Sequence, residues 1–206
     1  MRSLLLAVLL LVPTAAGATQ LGVRVVDGNG RPVSDAVVTL RPIGRAAPAP
    51  RPGTLIVAQR NLAFRPFVSV VAVGSTVVFP NFDATRHHVY SFSAAKRFEF
   101  KLFGKDQSRS IVVDKPGTIA LGCNIHDSMS AFLFVTDTAW ASRTDGSGTV
   151  NFGDAPSGPV TIAVWHPYQR TPDGSSVRQV TLGAAARSET FGVKLRSPPM
   201  HDMSGY

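Results

Sequence analysis

The most regular feature of the chain is a succession of short apolar runs in which β-branched and aromatic residues predominate. Glycine, proline, asparagine and aspartate separate these runs, as they do between short strands joined by tight turns. No long stretch repeats apolar residues at the spacing of an amphipathic helix. We therefore predict an all-β protein built from sandwiches. The predicted strands are 21–26, 36–40, 68–73, 76–79, 88–92, 110–113, 118–121, 131–135, 149–152, 160–165, 176–182 and 190–195.

A segment rich in proline and alanine, residues 45–52, interrupts the strand pattern early in the chain. This composition favours an extended, semi-rigid linker. The linker separates the first two predicted strands from the rest, and two strands alone are at best marginally stable. We therefore expect those two strands to pair with strands from elsewhere in the sequence.

The N-terminus has the composition of an export signal. Arg2 precedes an apolar stretch, and the small residues Ala16, Gly17 and Ala18 provide a cleavage site after Ala18. The apolar stretch is shorter than the roughly 20 residues that a membrane-spanning helix needs. We expect residues 1–18 to be a signal peptide and the mature protein to be periplasmic in a bacterium with two membranes.

Basic residues outnumber acidic ones, with 21 Lys and Arg against 13 Asp and Glu and a formal net charge of +8. An excess of cations can indicate a nucleic-acid partner. Export and the scattered placement of these cations argue against that function. We interpret them as a solvated surface, with steering towards an acidic partner or an anionic membrane surface as the alternative.

Cys123 is the single cysteine of the chain, so it cannot form an intramolecular disulfide in an oxidising compartment. His126 follows it by three residues, and Met129 follows His126 by three more. Thiolate, imidazole and thioether are ligands that suit redox-active copper. A zinc site rarely uses methionine, and no activating partner for a thiol hydrolase is evident. The motif therefore predicts a copper site, with an inert buried cysteine as the alternative.

Three further segments accompany this motif. They are Val-Gly-Ser-Thr-Val-Val-Phe-Pro-Asn at 73–81, Arg-His-His-Val at 86–89, and Lys-Pro-Gly-Thr-Ile-Ala-Leu-Gly-Cys at 115–123. Together with the spacing Cys-x-x-His-x-x-Met they resemble the cupredoxins, in particular the plastocyanin and amicyanin group. The combination is also similar to plastocyanin-like proteins described as methylamine-utilisation proteins, in which a cupredoxin and a second sandwich share one chain.

This resemblance implies a Greek-key β-sandwich that holds one copper ion in a type 1, or blue, site. The implied ligands are His87, Cys123, His126 and Met129, with His87 at the position of the family's first copper histidine. His88 is the alternative remote ligand. Because adjacent residues of a strand point to opposite faces, only one of the two histidines can easily reach the site.

The chain departs from the family pattern at Arg86 and His88, where the family has proline and asparagine. In the family, that asparagine helps to brace the ligand loop. Either a ring nitrogen of His88 takes over this role, or His87 and His88 have exchanged roles.

The ends of the chain resemble a different fold. Residues 23–38, the turn at 144–148 and the turn at 156–160 resemble carboxypeptidase-regulatory-like (transthyretin-like) β-sandwiches. In that family a short loop separates the two blocks, whereas here the copper segment lies between them. The expected organisation is a signal peptide at 1–18, a discontinuous sandwich at 19–45 and 138–196, an inserted cupredoxin domain at 53–137, and a flexible tail at 197–206.

The resemblance implies an electron carrier rather than an enzyme. His126 would lie near the surface as the electron port, with Ile125 and Ala131 in an apolar docking patch. Implied partners are redox proteins such as a c-type cytochrome or a periplasmic dehydrogenase. The alternatives are a copper-delivery protein without electron-transfer duty and a structural or carbohydrate-binding β-sandwich protein.

Two other histidine motifs lie outside the copper segment. At Trp165-His166-Pro167 we expect a packed tryptophan beside a surface histidine, with contact to the copper domain as the alternative. Met200-His201-Asp202-Met203 falls in the expected tail, where weak copper binding is the alternative to a purely flexible segment.

Overall fold

The computed structural model describes residues 19–172 and 174–197, and the regular elements within them are β-strands. The predicted all-β class is therefore confirmed. None of the described segments forms a helix with the length and hydropathy needed to cross a bilayer. The predicted signal peptide, the motif at 200–203 and all but the first residue of the predicted tail lie outside the described residues.

The described residues form seventeen strands, many of them separated by turns that contain glycine, proline or aspartate. The first nine are β1 (Thr19–Val26), β2 (Val37–Pro42), β3 (Thr54–Ile56), β4 (Ala58–Gln59), β5 (Phe64–Arg65), β6 (Val68–Ala72), β7 (Thr76–Pro80), β8 (His87–Ser93) and β9 (Lys96–Phe103). The others are β10 (Ser108–Val112), β11 (Gly117–Gly122), β12 (Ser130–Thr136), β13 (Ala141–Arg143), β14 (Thr149–Ala155), β15 (Gly158–Trp165), β16 (Ser175–Leu182) and β17 (Arg187–Gly192).

Strands from both ends of the described chain form one sandwich, which we call the terminal sandwich. Its two sheets have the orders β14-β1-β17 and β13-β2-β15-β16. β1 pairs antiparallel with β14 and parallel with β17, so the first strand depends on the last one for its hydrogen bonds. The pairing of strands that are distant in sequence explains how β1 and β2 are stabilised.

The strands between β2 and β13 form a second sandwich, which we call the central sandwich. Its sheets have the orders β10-β7-β3 and β6-β12-β11-β8-β9, and β4 and β5 form a small ribbon beside them. The chain leaves the five-stranded sheet after β9, contributes β10 to the three-stranded sheet and returns as β11. Such crossings between sheets are typical of Greek-key sandwiches.

Each sandwich has its own apolar cluster. In β1, Leu21, Val23 and Val25 are buried while Arg24 between them is exposed, which is the period-two pattern of a strand with one covered face. These residues belong to the cluster of the terminal sandwich. A separate cluster, which includes Phe79, fills the central sandwich.

A third, smaller cluster joins the two sandwiches. Trp165, at the end of β15, packs against Phe132 and Phe134 of β12 with ring centroids 6.2 and 5.4 Å apart. The tryptophan therefore contacts the central sandwich, which was the alternative reading of its motif. His166 is 6% exposed, so the expectation of a surface histidine is wrong. Its Nδ1 accepts a hydrogen bond from the backbone N–H of Tyr168 at 3.2 Å.

The predicted strands all overlap observed strands, but some bounds and elements differ. The last strand ends at Gly192 rather than 195, and β3, β4, β5, β9 and β13 were not predicted. The largest of these, β9, alternates aromatic and charged residues. Phe98 and Phe100 pack against the central core, whereas Arg97 and Glu99 face solvent.

Candidate metal centre

The loop between β11 and β12 holds three of the four predicted ligands. Gly122 and Ser130 are register partners at the facing ends of these antiparallel strands, so the loop closes the hairpin at one end of the central sandwich. Inside the loop, the backbone N–H of Met129 donates to the carbonyl of His126 at 2.9 Å. This turn holds His126 and Met129 close to Cys123.

His87 approaches the same end of the sandwich from β8. This strand lies next to β11, with Tyr90 opposite Gly122. Nδ1 of His87 lies 3.9 Å from Sγ of Cys123, and Nδ1 of His126 lies 3.7 Å from the same sulfur. The ligand atoms of these three residues all lie within 4.8 Å of one another. The structure thus brings His87 together with the loop.

These side chains are largely shielded from water. His87 is fully buried, Cys123 is 4% exposed and Met129 is 2% exposed, whereas His126 is half-buried. Burial, and secondly the neighbouring His87 ring, lowers the pKa of His126 against a smaller opposing effect of Asp83. The His126 ring is therefore neutral at neutral pH and keeps a lone pair for a metal ion.

The donor set fits a type 1 copper ion. One cysteine sulfur and two imidazoles converge, and Met129 lies in the same apolar cluster as Cys123. This is the combination of two histidines, one cysteine and a weak axial methionine found in blue copper sites. Zinc would favour a stronger fourth ligand than a thioether. The prediction of a site suited to one copper ion is confirmed, while the role of each ligand stays a prediction.

Asp83 fixes His87 from the side remote from the cysteine. Oδ2 of Asp83 lies 2.9 Å from Nε2 of His87, and the carboxylate also accepts the N–H groups of Asn61 and Leu62 at 2.6 and 3.1 Å. Burial raises the pKa of Asp83, but these hydrogen bonds outweigh it and hold the pKa below its ordinary value. A carboxylate behind a ligating imidazole sets the tautomer and the ring orientation. Sequence analysis missed this residue.

His88 does not join the group. It lies on the opposite face of β8, where its Nε2 is 2.9 Å from Oε1 of Glu99. Its Nδ1 is buried and has no hydrogen-bond partner among the described residues. Of the two alternatives for His88, a ring nitrogen that braces the ligand loop is therefore wrong. Since the backbone alternates, placing His87 at the site turns His88 away from it.

The surface around the loop differs in part from the expected docking patch. Ile125 is 40% exposed, as a surface contact requires. Ala131 is 1% exposed because it points into the core from β12, so its expected place in the patch is wrong. Beside Ile125 there is a cleft of about 340 Å³, which is also lined by Arg86, His88 and Lys101.

No protein-family model and no curated protein matches the chain. Among solved structures, the chain is similar to a copper-containing nitrite reductase from Thermus scotoductus at 24% identity, over 55% of this chain and 28% of the reductase, with a TM-score of 0.39. It is similar to amicyanin from Paracoccus versutus at 20% identity, over 40% of this chain and 81% of amicyanin, with a TM-score of 0.37. It is also similar to a purple cupredoxin from Nitrosopumilus maritimus at 18% identity. That match covers 41% of this chain and 99% of the cupredoxin, with a TM-score of 0.35.

These similarities concern only part of the chain. The chain spans less than a third of the nitrite reductase. Because these likenesses are partial, we infer the metal from the donor atoms of this site.

Proposed function

We propose that the protein carries single electrons at one type 1 copper ion held by His87, Cys123, His126 and Met129. The observation that supports this proposal is the convergence of one cysteine sulfur and two imidazole Nδ1 atoms inside an apolar enclosure. A copper ion with these ligands cycles between two oxidation states that differ by one electron.

Each side chain has a separate role in this proposal. Cys123 would bind the metal through its sulfur and connect it to the backbone of β11. His87 is held by Asp83, so its ring stays in place when the charge at the site changes. His126 is half-buried and offers a short route to the surface. Met129 would supply a weak thioether ligand that tunes the reduction potential.

We propose that residues 53–137 are the copper unit, inserted into a sandwich made of 19–45 and 138–196. The separate apolar clusters of the central and terminal sandwiches support this division. In this proposal the terminal sandwich is a scaffold or partner-docking module with no catalytic site of its own.

We also propose that the mature protein works in the periplasm after removal of residues 1–18. Bound copper would protect the single thiol there, because a free thiolate is open to oxidation. The partners would be redox proteins such as a c-type cytochrome or a periplasmic dehydrogenase, and the protein would relay electrons between them rather than act as an enzyme.

Repeated redox cycling distinguishes an electron carrier from a copper-delivery protein. Mature protein with one equivalent of copper is reduced with ascorbate, held with a Cu(I) chelator, and reoxidised with hexacyanoferrate(III). A carrier keeps its copper and recovers its full visible absorption in every cycle. Rapid transfer of Cu(I) to the chelator, with no recovery of absorption, would show that delivery is the function instead.

A further inference from the structure

The outer face of the five-stranded sheet is covered by the terminal sandwich over only part of its width. On β12, Phe132 and Phe134 point to this face and pack against Trp165. Tyr90 of β8 lies on the same face, because its register partner Gly122 is also the partner of Ser130 on β12. Beyond Tyr90 the face is open to solvent.

Three aromatic rings stand at alternate positions of β8 on this face, and we call them the aromatic ladder. Phe92 is exposed, Tyr90 is half-buried and His88 is buried. The ring centroids of His88 and Tyr90 are 5.7 Å apart, and those of Tyr90 and Phe92 are 5.1 Å apart. Phe92 is 72% exposed, more than any other large apolar side chain of the described residues. Aromatic side chains are enriched at protein–protein contacts relative to the rest of the protein surface.

The ladder touches the backbone next to the metal ligand. A Cβ atom on Gly122 would lie 2.7 Å from Cζ of Tyr90 and 2.8 Å from its hydroxyl oxygen. Glycine is therefore needed at this position for the Tyr90 ring to lie on the strand. Since Gly122 directly precedes Cys123, the Tyr90 ring contacts the residue next to the predicted sulfur ligand.

The Phe92 end of the aromatic ladder carries an excess of positive charge. Arg97 lies opposite Phe92 in the register of β8 and β9 and has no carboxylate partner among the described residues. The one acidic side chain on this stretch of β9, Glu99, is already bonded to His88 and to Lys101 at 2.9 and 3.2 Å. Its charge is therefore largely offset within the protein.

A second arginine, Arg86, lies at the His88 end of the aromatic ladder. Arg86 lines the cleft beside His88, and its guanidinium donates to the carbonyl of Leu102 at 3.1 Å. Because this partner is a backbone carbonyl, the positive charge of Arg86 has no carboxylate partner among the described residues. Unpaired arginines at both ends complement an acidic partner, because opposite surface potentials steer encounter and fix register.

We propose that the aromatic ladder, with Arg86 and Arg97, is a docking surface for an acidic one-electron redox protein. This inference rests on the proposed electron-carrier function and names the partner class. One electron passes between the reduced centre of that partner and the copper site by way of Tyr90 and the backbone of Gly122. No bond forms or breaks, and the Tyr90 ring is a path for the electron that is not itself oxidised.

The test is the second-order rate constant for reduction of the Cu(II)-loaded protein by a reduced, acidic c-type cytochrome in stopped flow at low salt. Arg97→Glu should lower this constant roughly tenfold and weaken its dependence on ionic strength. Phe92→Ser should lower it severalfold. Val177→Ser is the matched control, since Val177 is an apolar side chain 62% exposed on the terminal sandwich, and it should change nothing.

A Tyr90→Leu variant separates the electron path from docking. Calorimetry with the redox-inactive Zn-substituted cytochrome gives the affinity of each variant, and the rate constant within the complex is measured at saturating cytochrome. That rate constant should fall in Tyr90→Leu and stay unchanged in Phe92→Ser, which only weakens binding. An unchanged rate constant within the complex would overturn the proposed path through Tyr90.

Other outcomes overturn the docking surface while leaving the carrier function intact. One is a cytochrome rate that falls in Ile125→Ser but not in Phe92→Ser or Arg97→Glu, which would place docking at the His126 end. Others are faster reaction with a basic cytochrome, or a dimer in sedimentation that Phe92→Ser dissociates. If the wild type shows no copper–thiolate absorption that ascorbate bleaches reversibly, the carrier function itself fails.

Discussion

At the scale of single residues, the candidate site is organised by a side chain that does not bind the metal. Asp83 accepts hydrogen bonds from Nε2 of His87 and from two backbone amides, so the imidazole is held with Nδ1 towards Cys123. Asp83 therefore fixes the tautomer and the ring orientation that a ligand to a metal ion needs.

We predict that Asp83→Asn weakens copper binding by roughly tenfold to a hundredfold, because a neutral amide holds the imidazole less firmly than a carboxylate. Loss of the negative charge should also raise the reduction potential, since that charge favours the oxidised ion. Competition with a copper chelator and potentiometric titration measure the two effects.

Glu99→Gln is the matched control, because Glu99 makes the same kind of contact to His88. It should leave the affinity and the potential of the copper site unchanged. Equal behaviour of the two variants would show that Asp83 does not act through His87.

The sequence makes some of these residues predictable and hides others. Cys123, His126 and Met129 share one loop, so their spacing alone indicates a common site. His87 is distant in sequence and was assigned through the resemblance to cupredoxins. Asp83 acts through contacts that only folding creates, and no spacing rule connects it to the loop.

At the scale of elements, the charged side chains of β9 made this strand hard to predict, and they lie on its solvent-facing side. The Phe98 and Phe100 positions of β9 alternate with charged ones, which is a strand pattern with one wet face. The charges led us to interpret this segment as part of a scattered basic surface. The same alternation places Arg97 beside the aromatic ladder.

An ionic contact links β17 and β16, which are edge strands of the two sheets of the terminal sandwich. Glu189 of β17 lies 2.8 Å from Arg178 of β16 and 2.6 Å from Arg187. Burial raises the pKa of Glu189, but hydrogen bonds from Arg187 and Arg178 outweigh it, so the pKa lies below the ordinary 4.5. A carboxylate whose pKa is lower in the folded state stabilises the fold at pH values above its unfolded-state pKa. This stabilisation is lost as the pH falls through the folded-state pKa.

We therefore predict that Glu189→Gln lowers stability at neutral pH and makes it less dependent on pH below about 4.5. Urea unfolding at a series of pH values measures this. Asp154→Asn, which changes an exposed carboxylate outside the ion pairs, should keep the wild-type profile. An identical acid profile for Glu189→Gln and the wild type would contradict the role of this contact.

At the scale of the whole molecule, the two sandwiches meet through an aromatic contact rather than only through the chain connections. Trp165 is 7% exposed and packs on Phe132 and Phe134, on the sheet that also carries the metal loop. The sequence indicated a packed tryptophan, but its partners could not be foreseen because they lie on a strand of the other sandwich.

We predict that Trp165→Ala lowers the free energy of unfolding by about 3–5 kcal/mol, the usual cost of removing a buried aromatic side chain. Val177→Ala should stay within about 0.5 kcal/mol of the wild type, since Val177 is exposed. Denaturant unfolding of the metal-free proteins gives both values. A loss below about 1 kcal/mol for Trp165→Ala would mean that the contact between the sandwiches contributes little.

If Cys123, His87 and His126 bind copper as one redox site, addition of Cu(II) to the mature protein will show it. We expect an intense visible thiolate-to-copper absorption at one equivalent, bleached by ascorbate and restored by reoxidation. This absorption should be absent in Cys123→Ser, strongly altered in His87→Ala and unchanged in His88→Ala. A colourless copper complex of the wild type, or colour that depends on His88 and not on His87, would contradict it.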